Sequence, residues 1–435
     1  MSATNQLWND TDLVPLSEHL LEQMLDWANI EKAARRVIRN KGSAGVDGMV
    51  VSELLHWLES NFASLKTSIE TDTYRPSAVR ICEIEKIGGG VRQLGIPTVI
   101  DRMLQQGLHQ ILNPYFDPFF SEHSYGFRKG RNPQQAVIAA RDFQREGKRY
   151  VVDIDLSKFF DRVNHDLLIA QIKRKIKDRR IWRLVDLYLK SGVMVGGIIS
   201  FRQEGTPQGS PLSPLLSNIM LDKLDKELEK RGHSFCRYAD DFSIYVRSQK
   251  AGERVYESIT SFIEKKLKLK INKDKSKVDK GYRRNFLGFG FTSEKRTRLR
   301  VPKERLVRLR KNVKRECKHG RGKNIKRFIA ETLNPMLRGW ANYYKTAETI
   351  TFAKVLDKWI RLRLRVIIWR QWKRPRTRYK NIRKAGFSHV EALMSAYNNR
   401  GCWWNSRYNY VVLTLNNKLF ASMGLVSIES VIVTR

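Results

Sequence analysis

Apolar residues recur at two spacings along this 435-residue chain, and the change from one to the other divides it. Near the start, Leu20, Leu21, Met24, Leu25, Ala28 and Ile30 fall at helical intervals, so residues 17–40 read as one amphipathic helix, which Gly42, Gly45 and Gly48 break into a loop. Ala78-Val79-Arg80-Ile81-Cys82-Glu83-Ile84 reads as a strand, Gly88-Gly89-Gly90 as a tight turn, and Arg92-Gln93-Leu94-Gly95-Ile96 as the returning strand. A buried strand opens at Val151-Val152. A long helix then carries apolar residues at 212, 215, 216, 219, 220, 224 and 228 and ends at Gly232. Two further β-prone runs flank positions 239–241. Beyond about residue 300 the spacing turns helical: Leu306, Leu309 and Val313; Ile325, Phe328, Ile329 and Leu333; Leu356, Trp359, Ile360, Leu364, Ile367 and Ile368. Three helices, each with one apolar and one Lys/Arg face, are expected there, and the fold class is α+β with an antiparallel sheet.

The two runs around position 240 bring in chemistry. In Phe235-Cys236-Arg237-Tyr238-Ala239-Asp240-Asp241-Phe242-Ser243-Ile244-Tyr245-Val246, adjacent aspartates sit where a tight hairpin turn is expected. Carboxylates held together repel unless a cation joins them, and Mg²⁺ prefers such hard oxygens. A second acidic segment, Val151-Val152-Asp153-Ile154-Asp155-Leu156, places Asp153 and Asp155 on one face of a strand by its period of two. One more carboxylate beside Asp240 and Asp241 makes a site for two metal ions, which in phosphoryl transfer stand roughly 3.5–4 Å apart. Further upstream, the glycine turn projects Lys86 and Arg92 together, a pairing suited to a triphosphate.

Charge names the partner. Lys and Arg number 82 against 44 Asp and Glu, a net of +38. Residues 295–384 alone hold 31 Lys+Arg against 5 Asp+Glu, a net of +26. A block this basic points to a polyanion bound through counterion release. No apolar run approaches the ~20 residues that span a bilayer and no signal peptide opens the chain, so no membrane partner is expected. Cysteines 82, 236, 317 and 402 show no paired spacing, which suits a reducing compartment without disulfide or zinc.

Taken together, these segments resemble the reverse transcriptase-maturases of bacterial group II introns. The resemblance spans about residues 30–405. It is carried by Tyr238-Ala239-Asp240-Asp241, Asp155 with Phe159-Phe160-Asp161, and Ser43-Ala44-Gly45-Val46-Asp47-Gly48. Also matching are Gly88–Thr98, Ser124-Tyr125-Gly126-Phe127-Arg128-Lys129-Gly130-Arg131, Gly205–Pro214, Phe286-Leu287-Gly288-Phe289-Gly290-Phe291, and Gly339-Trp340-Ala341-Asn342-Tyr343-Tyr344. The resemblance implies a right-hand polymerase: N-terminal extension and fingers over residues 1–150, palm over 151–292, helical thumb or maturase domain over 293–374, and a DNA-binding module over 375–435. It implies that Asp155, Asp240 and Asp241 hold two Mg²⁺ ions, with Asp153 behind them, and that Lys275 protonates the departing pyrophosphate. Lys86 and Arg92 would hold the dNTP triphosphate, Gln208 would pack beside the nascent base pair, and Phe160 would exclude a ribose 2′-OH. Arg128, Arg131, Phe286 and Gly288 would contact template or primer. Trp369, Arg370, Trp372, Lys373 and Arg374 mix aromatic and cationic groups that suit RNA.

The implied function is RNA-directed DNA synthesis together with binding of the parent group II intron RNA to promote splicing and mobility. Its partners would be that RNA, an RNA template with DNA primer or target DNA, and dNTPs, in a bacterial cytoplasmic ribonucleoprotein. A homodimer stays open. The paired cysteines of the nuclease domain that ends longer relatives are absent, so second-strand cleavage is not expected. A splicing cofactor without polymerase activity, an RNA-templated RNA polymerase, and a host-adopted enzyme of DNA repair or phage defence are the rivals. The aspartates and the Lys86/Arg92 pair weigh against the first and Phe160 against the second.

Overall fold

The computed structural model describes residues 19–85, 90–195, 198–200, 204–206 and 209–433; for Arg92, Val195 and 198–200 it describes backbone alone. Lys86 and Gln208, and the side chain of Arg92, therefore lie outside the described residues. The chain forms two compact units: Met1–Ala136 with Gly147–Asp279, and Val137–Glu146 with Lys280–Arg435.

In the first unit, β1 (Val79–Glu85) and β2 (Val91–Ile96) make the expected antiparallel hairpin, from Arg80 opposite Ile96 to Glu85 opposite Val91. β3 (Tyr150–Ile154) belongs to a different sheet. β4 (Val193–Val195) and β5 (Ile198–Ser200) extend the first sheet in the order β2-β1-β4-β5, with β1 and β4 parallel. β6 (Ser234–Tyr238), β7 (Asp241–Val246) and β8 (Lys277–Lys280) join β3 in the order β6-β7-β3-β8. The Gln249–Lys266 helix packs on β3 and β7, and the Ser213–Lys230 helix packs on β6. Val152, Ile154, Phe235, Phe242 and Ile244 face one continuous core with Leu216, Met220 and Leu224 of that second helix. The alternation along β3 leaves Asp153 and Asp155 on the face away from Val152 and Ile154, as the period of two requires.

One expectation needs correction. Residues 17–40 are not a single helix among the described residues: Leu20–Met24 and Trp27–Arg39 are separate. The Asp26 carboxylate accepts from the Ala28 N–H at 2.9 Å and so starts a new helix, a capping preference that overrides an unbroken apolar stripe.

The second unit opens with a small sheet of β9 (Asn285–Phe286), β10 (Phe289–Phe291) and β11 (Leu299–Arg300), in the order β11-β10-β9. Helices Lys303–His319, Asn334–Tyr343 and Thr351–Gln371 follow, with short turns of helix from Ile325 to Leu333 leading into the second. Their apolar stripes, including Leu309, Val313, Phe328, Leu333, Leu356, Ile360 and Leu364, meet in a separate core, as the spacing predicted. Shorter helices, among them Pro375–Lys384 and His389–Ala396, add Ile382, Ala392 and Phe420 to it.

Candidate active site

Strand register brings the expected carboxylates together. β6 and β7 pair with Tyr238 opposite Asp241, so Ala239 and Asp240 form a two-residue turn and Asp241 is the first residue of β7 rather than part of the turn. β3 and β7 pair with Asp153 opposite Ser243 and Ile154 opposite Phe242. That pairing ends next to Asp155, the residue after Ile154, and Asp241, the residue before Phe242. Asp241 is exposed, and Asp240 and Asp155 are half-buried.

The backbone around Asp155 is tied to a later segment. Its N–H donates to Ser276 Oγ at 3.0 Å and its carbonyl accepts from the Asn272 N–H at 2.8 Å, while Ser157 N–H donates to the Lys270 carbonyl. Those ties carry Lys275 alongside, with Nζ 3.7 Å from Asp155 Oδ2. Sequence spacing alone could not choose Lys275 from Lys273 and Lys277; in the structure it is Lys275 whose ammonium lies beside Asp155.

The turn itself is held from below. Ala239 has φ +60°, on the first of two turn residues, the sign pattern of a type II′ turn that ordinarily takes glycine. A non-glycine residue held there costs on the order of 1–3 kcal/mol and persists only when its surroundings impose it. Two neighbours do so. Gly126 lies against the turn so closely that a Cβ would fall 2.2 Å from the Ala239 nitrogen. Arg237, fully buried, donates from Nη1 to the Ala239 carbonyl at 3.1 Å. Neither role was legible beforehand. The available signal was a charged residue inside an apolar strand run, facing Asn218 and Asp225 seven residues apart on a helix whose neighbouring positions are apolar.

Phe160 sits within the Phe159–Asp161 turn, half-buried, its ring packed against Phe159 at 5.1 Å. Its carbonyl accepts from the Thr206 N–H at 2.6 Å, and the Gly205 Cα (φ +93°) sits against the Asp161 backbone, leaving no room for a Cβ. Gly205 and Thr206 thus lie beside Phe160 and Asp161.

Among the described residues no three His, Cys, Asp or Glu side chains form a ready cage for a metal. Magnesium is usually bound through one or two carboxylates plus water and substrate phosphates rather than by an all-protein cage. Asp155, Asp240 and Asp241 offer only carboxylate oxygens, and the nearby ammonium of Lys275 marks a place where positive charge is accepted.

Other expected contacts fare differently. The Arg128 guanidinium is consumed by its own loop: it donates to Asp117 Oδ1 at 2.9 Å and to the carbonyls of Asp117, Ser121 and Ser124, with 5% of its side chain exposed. It holds a loop instead of a template. Arg131 pairs with Glu122 and lies over the Tyr125 ring. Trp369 is 1% exposed in the helical core, with Arg378 over its ring at 4.8 Å, and so offers no face to a base. Trp372 is half-buried, Lys373 and Arg374 are exposed, and Arg370 Nε donates to Cys402 Sγ at 3.2 Å. Phe286 is buried, but its hairpin turn, Leu287-Gly288, has positive φ at both residues and is gripped by Tyr343 Oη on the Leu287 carbonyl at 2.7 Å. Two motifs read separately in the sequence therefore meet, with Phe289 stacked on Tyr343 at 5.6 Å.

Comparison with known proteins agrees with this geometry. Residues 84–291 match the family described as reverse transcriptase (RNA-dependent DNA polymerase), and residues 306–386 match the group II intron maturase-specific domain. Protein YkfC of Escherichia coli (strain K12) is 32% identical, over 62% of this chain and 82% of its own length. The group II intron-encoded protein LtrA of Lactococcus lactis subsp. cremoris is 35% identical over 45% of this chain, a match that spans 32% of LtrA. The putative COX1/OXI3 intron 2 protein of Saccharomyces cerevisiae is 27% identical over 58% of this chain and 28% of its own length. No described helix is long and apolar enough to cross a membrane. With the paired-aspartate turn inside the first match and most of the basic 295–384 block inside the second, the chain belongs to the group II intron reverse transcriptase-maturases, RNA-directed DNA polymerases joined to a maturase domain.

Proposed function

We propose that the first unit supplies fingers and palm of a right-hand polymerase, that the second supplies the thumb or maturase domain and a DNA-binding module, and that Asp155, Asp240 and Asp241 are the metal-binding carboxylates. The observation that carries this reading is the β3–β7 register, which ends at Ile154 opposite Phe242, one residue short of Asp155 on one strand and of Asp241 on the other. Two Mg²⁺ ions bound there would lower the pKa of a primer 3′-OH and offset the charge that builds on the α-phosphate. The chain's own groups do the rest. Asp155, Asp240 and Asp241 hold the oxygen-ligand positions; Lys275, beside Asp155, gives a proton to the leaving pyrophosphate. Phe160 closes the space a 2′-OH would take, and Lys86, Arg92 and Gln208 bind the incoming dNTP. Arg370, Trp372, Lys373, Arg374 and the exposed cations of the Lys303–His319 helix bind intron RNA, chiefly through phosphate.

The test is Mg²⁺-dependent extension of a DNA primer on a defined RNA template. Asp155→Asn, Asp240→Asn and Asp241→Asn should each lower the rate by roughly a thousandfold or more, the scale set by loss of an electrostatic group at the reacting centre. Asp153→Asn should stay within about tenfold of wild type. Full activity in Asp241→Asn removes the proposed site.

A further inference from the structure

We propose that Arg237 is a positioning residue for synthesis: its guanidinium fixes the backbone of Ala239 and thereby the direction in which Asp240 and Asp241 present their carboxylates. This rests on the metal-binding reading above. Arg237 and Asp225 are both 0% exposed. Each of the five N–H groups of the guanidinium has a partner. Nε donates to Asp225 Oδ1 at 2.8 Å and Nη2 to Asp225 Oδ2 at 2.5 Å and Ser124 Oγ at 2.7 Å. Nη1 donates to Asn218 Oδ1 at 2.9 Å and to the Ala239 carbonyl at 3.1 Å. Asn218 in turn donates to the Gly126 carbonyl at 2.9 Å, and Gly126 is the residue pressed against the Ala239 nitrogen. The backbone closes the same circuit: Arg237 N–H donates to the His123 carbonyl and Tyr125 N–H to the Arg237 carbonyl, at 2.9 and 2.8 Å.

One side chain thus ties the Ser213–Lys230 helix, the 123–126 loop and the turn into one unit. Burial pushes the Asp225 carboxyl up while the guanidinium pulls it the other way, so the pair is costly to keep out of water. Replacing such a pair by apolar residues of similar volume is often neutral or stabilising, which offsets the donors lost to Asn218 and Ser124. What they would not supply is a donor to the Ala239 carbonyl, at a turn whose positive φ needs outside support. A lysine has three donors on a flexible stem, too few for five partners in one plane.

The test separates holding the turn from holding the fold. The double variant Arg237→Met with Asp225→Leu removes the ion pair without stranding a buried charge; Arg237→Lys keeps the charge and loses the fork. Melting temperature and intron RNA affinity report the fold. Mn²⁺ binding, followed by its electron paramagnetic resonance signal, reports the carboxylates. It is measured with RNA template, a dideoxy-terminated DNA primer and the complementary dNTP, so that no chemistry intervenes. The double variant should melt within about 5 °C of wild type. It should nonetheless bind Mn²⁺ about tenfold more weakly and extend a primer at least about tenfold more slowly, since a small misplacement at a reacting centre costs that much. Arg237→Lys should fall between. A folded double variant with wild-type Mn²⁺ affinity and rate overturns the proposal and leaves the metal site standing. A wild type that binds no Mn²⁺, or Mn²⁺ binding that survives Asp241→Asn undiminished, contradicts the metal reading itself and takes the proposal with it.

Discussion

Gly126 shows how much can hang on a missing side chain. An added methyl would meet backbone atoms of the turn, the Ala239 nitrogen at 2.2 Å and the Tyr238 carbonyl carbon at 2.9 Å, and backbone cannot swing aside. Gly126→Ala should therefore push the turn away from Asp155. We expect a loss of about 1–3 kcal/mol in stability, the usual cost of overpacking, and at least a tenfold fall in primer extension. Thermal unfolding and extension assays check the two; an active Gly126→Ala would show that the turn tolerates displacement. Residue identities at the site were legible in part. Asp155, Asp240 and Asp241 stood out by type and order and Lys275 only as one of three close lysines, whereas Gly126 and Arg237 act through partners far along the chain, and no local pattern reveals such contacts. Arg128 and Trp369 erred the other way: a cation and an indole in a promising motif were taken up by a loop and a core.

At the scale of elements, the Ser213–Lys230 helix carries a half-buried carboxylate, Asp222, that costs stability. Partial burial raises the Asp222 pKa to about 6, the neighbouring Asp225 adds to the effect, and Asp222 Oδ1 has no hydrogen-bond partner. The folded state thus binds this proton more tightly than the unfolded chain, so its contribution to stability falls as pH rises from about 4 through about 6 and stays lost above. Asp222→Asn should unfold at the same denaturant concentration as wild type near pH 4 and be more stable by roughly 1–3 kcal/mol at pH 8. Equal stability at both pH values would contradict a half-buried, ionising Asp222. The elements themselves were largely written in the periodicity. The helices beyond residue 300, the β1–β2 hairpin and the Ser213–Lys230 helix follow from spacing alone. The three-residue strands β4 and β5, and the parallel pairing of β1 with β4, escape such reading because a run that short carries no period and the pairing is non-local.

At the scale of the molecule, charge and chemistry are segregated. The carboxylates lie in the first unit, and the 295–384 block with its net +26 lies in the second. On the Lys303–His319 helix, Lys311, Lys314 and Lys318 are all exposed. Replacing the three by Gln should leave the melting temperature unchanged and lower the slope of log affinity for intron RNA against log salt by about 1 per lysine that meets a phosphate. An unchanged slope would place RNA elsewhere. That segregation makes the two activities separable, and a single reaction tests the separation most directly. Precursor intron RNA annealed to a DNA primer is incubated with Mg²⁺, dNTPs and either wild type or Asp241→Asn, and spliced RNA and cDNA are quantified together. Wild type should yield both products, and Asp241→Asn should splice at the wild-type rate while making no cDNA. Loss of splicing together with cDNA, or cDNA made by the variant, would contradict the account.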